Sequence, residues 1–298
     1  MSSVVENPVS HHVVHQPGVD ISPFVERIVG YELRGHPPGF HAGLPSRHLT
    51  VVISLDEPVD MVAMPDPAHA PAALAALVGG LHAAPVKIRH HGTQVGMQLH
   101  VTPAGARALF GMPASALAWC VVPLEDVFAG SDALCDELRR ATSWAVRCTL
   151  IEQAVGAAIT ANHRRRHGPD AHDPRPEVAR ALDRLIATNG EMTVAALAED
   201  VGWSRRHLSA CFTHELGITP KLFGRVLRFQ RARRYVVDPG ISLGEAAALA
   251  GYADQAHMTH EWREFSGSAP GAWLAAELTA EMAADLPDVQ DTPVDAVA

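Results

Sequence analysis

The stretch from Thr193 to Pro270 repeats itself at an offset of about fifty residues. One copy opens Thr193-Val194-Ala195-Ala196-Leu197-Ala198-Glu199-Asp200-Val201-Gly202-Trp203, and the other opens Ser242-Leu243-Gly244-Glu245-Ala246-Ala247-Ala248-Leu249-Ala250-Gly251-Tyr252. Each begins with a hydroxyl residue of the kind that caps a helix. Each then places apolar residues at i, i+3, i+4 and i+7, the period of one helix face. A Gly follows, able to take the positive φ of a tight turn, and then an aromatic. With one residue inserted, the match continues from Ser204 to Asp254, Leu208 to Met258, Phe212 to Trp262, Gly217 to Gly267 and Pro220 to Pro270. A second capped helix after each Gly-aromatic pair makes a helix-turn-helix, here twice in one chain.

Between the two copies, Lys221, Arg225, Arg228, Arg231, Arg233 and Arg234 occupy a stretch with no acid from Leu216 to Val237. A helix from Pro220 to Val237 would span about 27 Å at 1.5 Å per residue. Neighbouring major-groove faces on one side of a duplex lie ~34 Å apart, so such a helix can hold two recognition helices for adjacent grooves. The net charge of −9 argues weakly against nucleic acid. Its distribution matters more, and the tail beyond Trp273 carries Glu277, Glu281, Asp285, Asp288, Asp291 and Asp295 without a base. The basic run also has a plainer reading, a solvated face whose arginines pair with nearby acids.

The first recognition helix is expected over Ser204–Thr213. Leu208, Cys211 and Phe212 should point inward. Ser204, Arg205, Arg206, Ser209, Ala210 and Thr213 are then the candidate DNA contacts. The second is expected over Asp254–Arg263, with Met258 and Trp262 inward and Gln255, Thr259, His260 and Arg263 outward. Arginine can grip guanine O6 and N7 bidentately, and Gln favours adenine.

Thr193 to Trp273 resembles the DNA-binding domain of the AraC/XylS family of transcription regulators. The matching residues include Leu197-Ala198, Gly202-Trp203-Ser204, Gly217-Ile218-Thr219-Pro220, Arg231-Ala232, Ala246-Ala247, Ala250-Gly251-Tyr252, Trp262-Arg263-Glu264-Phe265-Ser266-Gly267 and Pro270. The resemblance implies two helix-turn-helix units joined by a long helix and bound to double-stranded promoter DNA. Carried over by position, it puts base reading on Arg206, Ser209 and Ala210, and on Gln255, Thr259 and His260. Ala210 and Ala256 depart from the polar residues often found there. Family members also carry a sensing or dimerising domain ahead of this module. An unknown small-molecule effector, a homodimer and a contact with RNA polymerase follow as expected partners, with no cofactor.

The 298 residues suffice for two domains. An α+β sensor-like domain is expected over residues 1–166 and a linker over 167–176, where prolines crowd. An all-α DNA-binding domain over 177–280 and an acidic tail over 281–298 complete the chain. Within the first forty-five residues only Phe24–Tyr31 reads as ordered. Strands are expected at 49–55, 59–64, 86–90 and 94–101, the last two joined by His91-Gly92-Thr93, where His90 and His100 could meet across a hairpin. Thr102-Pro103 starts a helix, and further helices are expected at 132–141 and 143–166.

No apolar run reaches the ~18–20 residues that span a bilayer, and the N-terminus lacks the parts of a signal peptide. The expected location is cytoplasmic. The four cysteines form no CxxC and read as free thiols. Eleven of the eighteen histidines lie in the first hundred residues, with His11, His12 and His15 together and His90, His91 and His100 together. Histidine is the commonest metal ligand, which leaves a metal-binding sensor or enzyme domain fused to a DNA reader as the alternative. No carboxylate or cysteine stands at fixed spacing beside them, and no metal ligand is assigned. No catalytic motif is present, so the chain is not expected to be an enzyme.

Overall fold

The computed structural model describes residues 9–166 and 175–280. Most of the expected linker and the whole acidic tail from 281 onward lie outside the described residues.

The N-terminal part is built on two antiparallel sheets. β1 (Val9–His15), β2 (Val25–Arg34), β4 (Leu49–Ser54), β7 (Ala76–Gly79), β9 (Gln94–Val101) and β10 (Val121–Pro123) form one, in the order β1-β2-β9-β4-β7-β10. β3 (Gly39–Gly43), β5 (Val59–Ala63), β6 (Ala72–Leu74) and β8 (Val86–His90) form the other, in the order β3-β8-β5-β6. The period of two in a strand decides which face each side chain serves. In β4, Leu49, Val51 and Ile53 join the main core, whereas Val52 turns to the smaller cluster around Met61, Leu77 and Val86 between the sheets.

Three helices cover the outer face of the larger sheet: α1 (Pro103–Phe110), α2 (Ser131–Arg140) and α3 (Trp144–Arg166). Leu109 and Phe110 of α1, Leu134 and Leu138 of α2, and Ile151 and Val155 of α3 are buried in one cluster with Val51 and Leu99. Thr102 caps α1, its hydroxyl accepting from Gly105 N–H at 3.1 Å. Asn162 of α3 donates to the Ala108 and Leu109 carbonyls at 3.1 and 2.8 Å, which satisfies acceptors that the end of α1 leaves free.

Two expectations need correction, and one pair of strands was not foreseen. The first forty-five residues hold β1, β2 and β3, not one ordered patch. Residues 72–79 form β6 and β7, whose Ala and Gly content gave no strand signal. β8 and β9 are not a hairpin. β8 pairs with β3 and β5, whereas β9 pairs with β2 and β4. Gly92 turns the chain from one sheet to the other at φ +93, and a Cβ there would collide with the His36 carbonyl. His90 therefore lies beside His41 (ring centroids 5.7 Å apart) and His100 beside His48 (5.5 Å), and the two do not meet.

The C-terminal part is helical: α4 (Pro176–Ala187), α5 (Val194–Asp200), α6 (Arg205–Leu216), α7 (Pro220–Val236), α8 (Leu243–Leu249), α9 (Gln255–Ser266) and α10 (Pro270–Ala280). α7 stands between two clusters of buried residues. Its Phe223 and Leu227 belong to the cluster that runs from the sheets through Leu197, Leu208 and Phe212. Its Val226, Phe229, Ala232 and Val236 belong to the cluster of Met258, Trp262, Phe265 and Trp273. The end of α4 comes close enough to α7 that a Cβ on Gly190, already at φ +76, would collide with the Gly224 carbonyl.

Candidate nucleic-acid interface

The two helix-turn-helix units are built alike. Thr193 and Ser242 cap α5 and α8, and Ser242 adds a capping box in which Glu245 Oε2 accepts from Ser242 N–H at 2.9 Å. Gly202 at φ +72 and Gly251 at φ +81 make the turns. One bond closes each turn: Trp203 N–H donates to Ala198 O at 2.8 Å, and Tyr252 N–H to Ala247 O at 2.9 Å. Ser204 then caps α6 by accepting from His207 N–H at 3.2 Å, and Asp254 caps α9 by accepting from His257 N–H at 2.7 Å. Gly217 and Gly267 end both helices in the left-handed conformation. The stretches expected as recognition helices are thus helical, each running three residues beyond its expected end.

The inner faces pack as the period requires. Leu208 and Phe212 of α6 and Met258 and Trp262 of α9 are fully buried, and Cys211 is half-buried. Phe212 meets Phe223 of α7 edge-on at 6.0 Å, and Trp262 meets Phe229 at 5.0 Å. Aromatic pairs of this kind add about 0.5–1.5 kcal/mol beyond their buried area. α7 is therefore the spine on which both outer helices rest.

On the outer face of α6, Ser204, Arg205, Arg206 and Ala210 are exposed, while Ser209 and Thr213 are half-buried. Arg205 and Arg206 have no ion pair among the described residues. Ser204 already accepts its capping bond, so its hydroxyl has its proton and one lone pair left to offer. Ala210 offers a methyl group, suited to a thymine methyl and to nothing polar. On α9, Gln255, His260 and Arg263 are exposed and Thr259 is half-buried. His260 Nε2 lies 3.2 Å from Glu264. Arg263 has no ion pair among the described residues. The two faces are electrically unequal, with two unpaired guanidinium groups on the first unit and one on the second.

The basic run on α7 follows its plainer reading over most of its length. Arg225 Nε donates to Glu261 at 2.6 Å and its other end pairs with Glu264. Arg228 lies 3.7 Å from Glu261, Arg231 bonds Glu191 at 2.6 Å, and Arg233 stands over the Trp273 ring. Glu261 was not singled out from sequence. Its side chain is only 6% exposed, and from α9 it organises two arginines of α7. The available signal was an acid on a helix that faces a basic one.

The N-terminal part grips this assembly at three places. Arg107 of α1 bonds Glu215 at the end of α6 through both nitrogens, Nε–Oε1 2.6 Å and Nη2–Oε2 2.5 Å, with both side chains about 15% exposed. Beside it Gly217 sits so close to Ser115 and Ala118 that a Cβ would collide with Ala118. On the middle of α7, buried Gln230 accepts from Arg47 N–H at 3.0 Å. Leu44 and Ala83 pack on the cluster of the second unit. Arg47 is itself held by Glu26, whose carboxylate accepts from Arg47 Nη2 at 2.7 and 2.9 Å and lies 2.6 Å from His48 Nε2. Burial alone would raise the Glu26 carboxyl. The bonds and charges of His48 and Arg47 outweigh it and bring the carboxyl down to about 2. His100 behind them is pushed down to about 3, by burial first and then by the charge of His48. Among the described residues, no three His, Cys, Asp or Glu side chains are grouped to hold a metal ion, and no helix is long and apolar enough to cross a membrane.

Two capped helix-turn-helix units on one connecting helix, each presenting a helix with exposed donors, place the C-terminal part in the double helix-turn-helix class. The sequence profile of a helix-turn-helix domain matches residues 197–276. An uncharacterised HTH-type transcriptional regulator of Bacillus subtilis, YbfI, is 33% identical over 90 residues, 30% of this chain and 32% of its own length. The transcriptional activator NphR of a Rhodococcus species is 28% identical over 102 residues, 33% of this chain and 30% of its own. The chain thus spans about a third of the length of the curated relatives it matches. Over both parts together, the fold is similar to that of ToxT from Vibrio cholerae. The apo form aligns with 88% of this chain and 99% of its own at a TM-score of 0.50 and 7% identity. The form bound to an unsaturated fatty acid aligns with 90% and 96%, at a TM-score of 0.50 and 9% identity. The C-terminal part is thus a helix-turn-helix domain that is similar, in its motif set, to the DNA-binding domain of AraC/XylS-type transcription regulators.

Proposed function

We propose that this chain is a sequence-specific transcription regulator that reads promoter DNA with α6 and α9 and is controlled by a ligand through its two-sheet N-terminal part. The observation that carries this reading is the exposed, unpaired trio of Arg205, Arg206 and Arg263 on two helices held in one rigid frame. Arg205 and Arg206 supply guanine grips or phosphate contacts, Gln255 an adenine contact, and Ser209, Thr213, Thr259 and His260 the flanking polar contacts. The likeness of the whole fold to ToxT, which binds an unsaturated fatty acid in one of its structures, supports a ligand-sensing role for the N-terminal part. The space between the larger sheet and its helices is only about 20 Å³, so an acyl chain there would have to displace side chains. RNA polymerase and a second copy of the chain remain proposed partners, and a cytoplasmic setting accords with this role.

The test exposes the purified chain to fragmented genomic DNA of its source at moderate salt and sequences what is retained. A small set of fragments sharing two half-elements about one helical turn apart is expected. Arg206→Glu should weaken binding to such a fragment by at least tenfold, the scale of one lost bidentate base contact of ~1–3 kcal/mol. Unchanged affinity of Arg206→Glu for that fragment would remove the first recognition helix from the reading.

A further inference from the structure

Beside the larger sheet, away from the helices that face DNA, lies a cavity of about 290 Å³ between the β6–β7 segment and α2. Clefts of about 300–1,000 Å³ accept small molecules, so its size suits a small one. Leu74, the alanines around it and Pro123 supply apolar lining. The opposite wall is one face of α2: Ser131, Cys135 and Arg139 at intervals of four, with Asp132 and Asp136 beside them. Glu125 completes the lining.

Two of these side chains are nearly withdrawn from solvent. Ser131 is 3% exposed and its hydroxyl has no hydrogen-bond partner among the described residues. Cys135 is 5% exposed, a free thiol whose ionisation burial pushes up, so it stays neutral. A hydroxyl on the cavity wall with no partner from the protein is open to one from an occupant. Three carboxylates against one guanidinium set the sign of that occupant. Arg139 is spent on Asp136 at 3.4 Å, and Arg140 also reaches Asp136 at 3.5 Å. Glu125 and Asp132 have no ion pair among the described residues. The carboxylates left unanswered want a cation, the Ser131 hydroxyl can accept from an N–H, and the alanine-lined side wants hydrocarbon.

We propose that the cavity between β6–β7 and α2 is a binding site for a small organic cation, a primary amine or guanidine on an apolar body, whose charged end lies between Glu125 and Asp132 and bonds Ser131. That such a ligand acts as an effector rests on the regulatory reading above. The binding does not, and it is measured without DNA.

The 298-residue chain is titrated calorimetrically with 2-phenylethylamine, butane-1,4-diamine and 4-aminobutylguanidine, and with 3-phenylpropionate as the anionic counterpart of the first. Saturable one-site binding of at least one cation is expected, with none of the anion. Glu125→Gln with Asp132→Asn removes both unpaired charges and should weaken it about tenfold. Arg139→Ala removes the opposing charge and should strengthen binding severalfold, which separates loss of the site from loss of the fold. Failure of all three cations to saturate, equal binding of the anion, or affinity unchanged in both variants overturns the proposal. Its failure would leave the Arg206→Glu result untouched.

Discussion

Glu26 offers the most direct measure of how firmly the N-terminal part holds α7. Its carboxylate takes two bonds from Arg47 and one contact from His48, and Arg47 in turn bonds Gln230 of α7. A carboxyl brought from 4.5 down to about 2 carries ~3 kcal/mol of stability at 1.36 kcal/mol for each pH unit. The side chain is one-third exposed, and solvent screening lowers the figure to ~2 kcal/mol. The folded value lies below the unfolded one. This contribution is therefore complete above pH of about 4.5 and disappears as pH falls through about 2. Glu26→Gln keeps the size of the side chain and removes the titrating charge. Urea denaturation of both proteins, followed by circular dichroism at pH 7, 5, 4 and 3, should show the variant less stable by ~2 kcal/mol at pH 7. The difference should shrink steadily between pH 4.5 and 2. A gap that stays constant across that window would mean that the lost stability came from packing and that the ion pairs at Glu26 contribute nothing.

Two further outcomes follow from the geometry. Gly190→Ala should destabilise by more than ~1 kcal/mol, because it adds a Cβ at positive φ against the Gly224 carbonyl, and a drop in melting temperature measures it; an unchanged melting temperature would mean that α4 and α7 can separate freely. A double-mutant cycle of Arg107→Met and Glu215→Gln should show coupling of ~1–3 kcal/mol across the contact between the two parts; additive effects would mean that this contact does not tie α1 to α6.

The C-terminal part was legible because its signals are local. Hydroxyl caps at Thr193, Ser204, Thr219 and Ser242, glycines at each turn and a steady helical period name every helix and nearly every boundary. α6 and α9 also lie where the repeat puts them. What the sequence withheld was the partner of each charge. Arg225, Arg228 and Arg231 look alike in a basic run, and only the arrival of Glu261 and Glu264 from α9 and of Glu191 from the α4–α5 connection separates them from Arg205 and Arg206. In the N-terminal part, β4 and β9 announce themselves through Val, Ile and Leu, whereas β6 and β7 are mostly Ala and Gly and are strands by pairing rather than by propensity. The two sheets could not be told apart either. His91-Gly92-Thr93 reads as a hairpin turn, and the collision that forbids a side chain at Gly92 comes from His36, more than fifty residues earlier.

The division of buried side chains along α7 has a consequence for how the molecule comes apart. Cooperative units of unfolding follow continuous packing and not the order of the chain. Here the first helix-turn-helix shares its packing with the sheets, and the second gathers around Trp262 on the far side of α7. The seam between units therefore runs lengthwise down that helix, through the middle of the helical part. The first helix-turn-helix therefore loosens together with the sheets, whereas the second is tied to them more lightly, through Leu44, Ala83 and the Arg47–Gln230 bond, so a change in the sheets reaches the two units unequally.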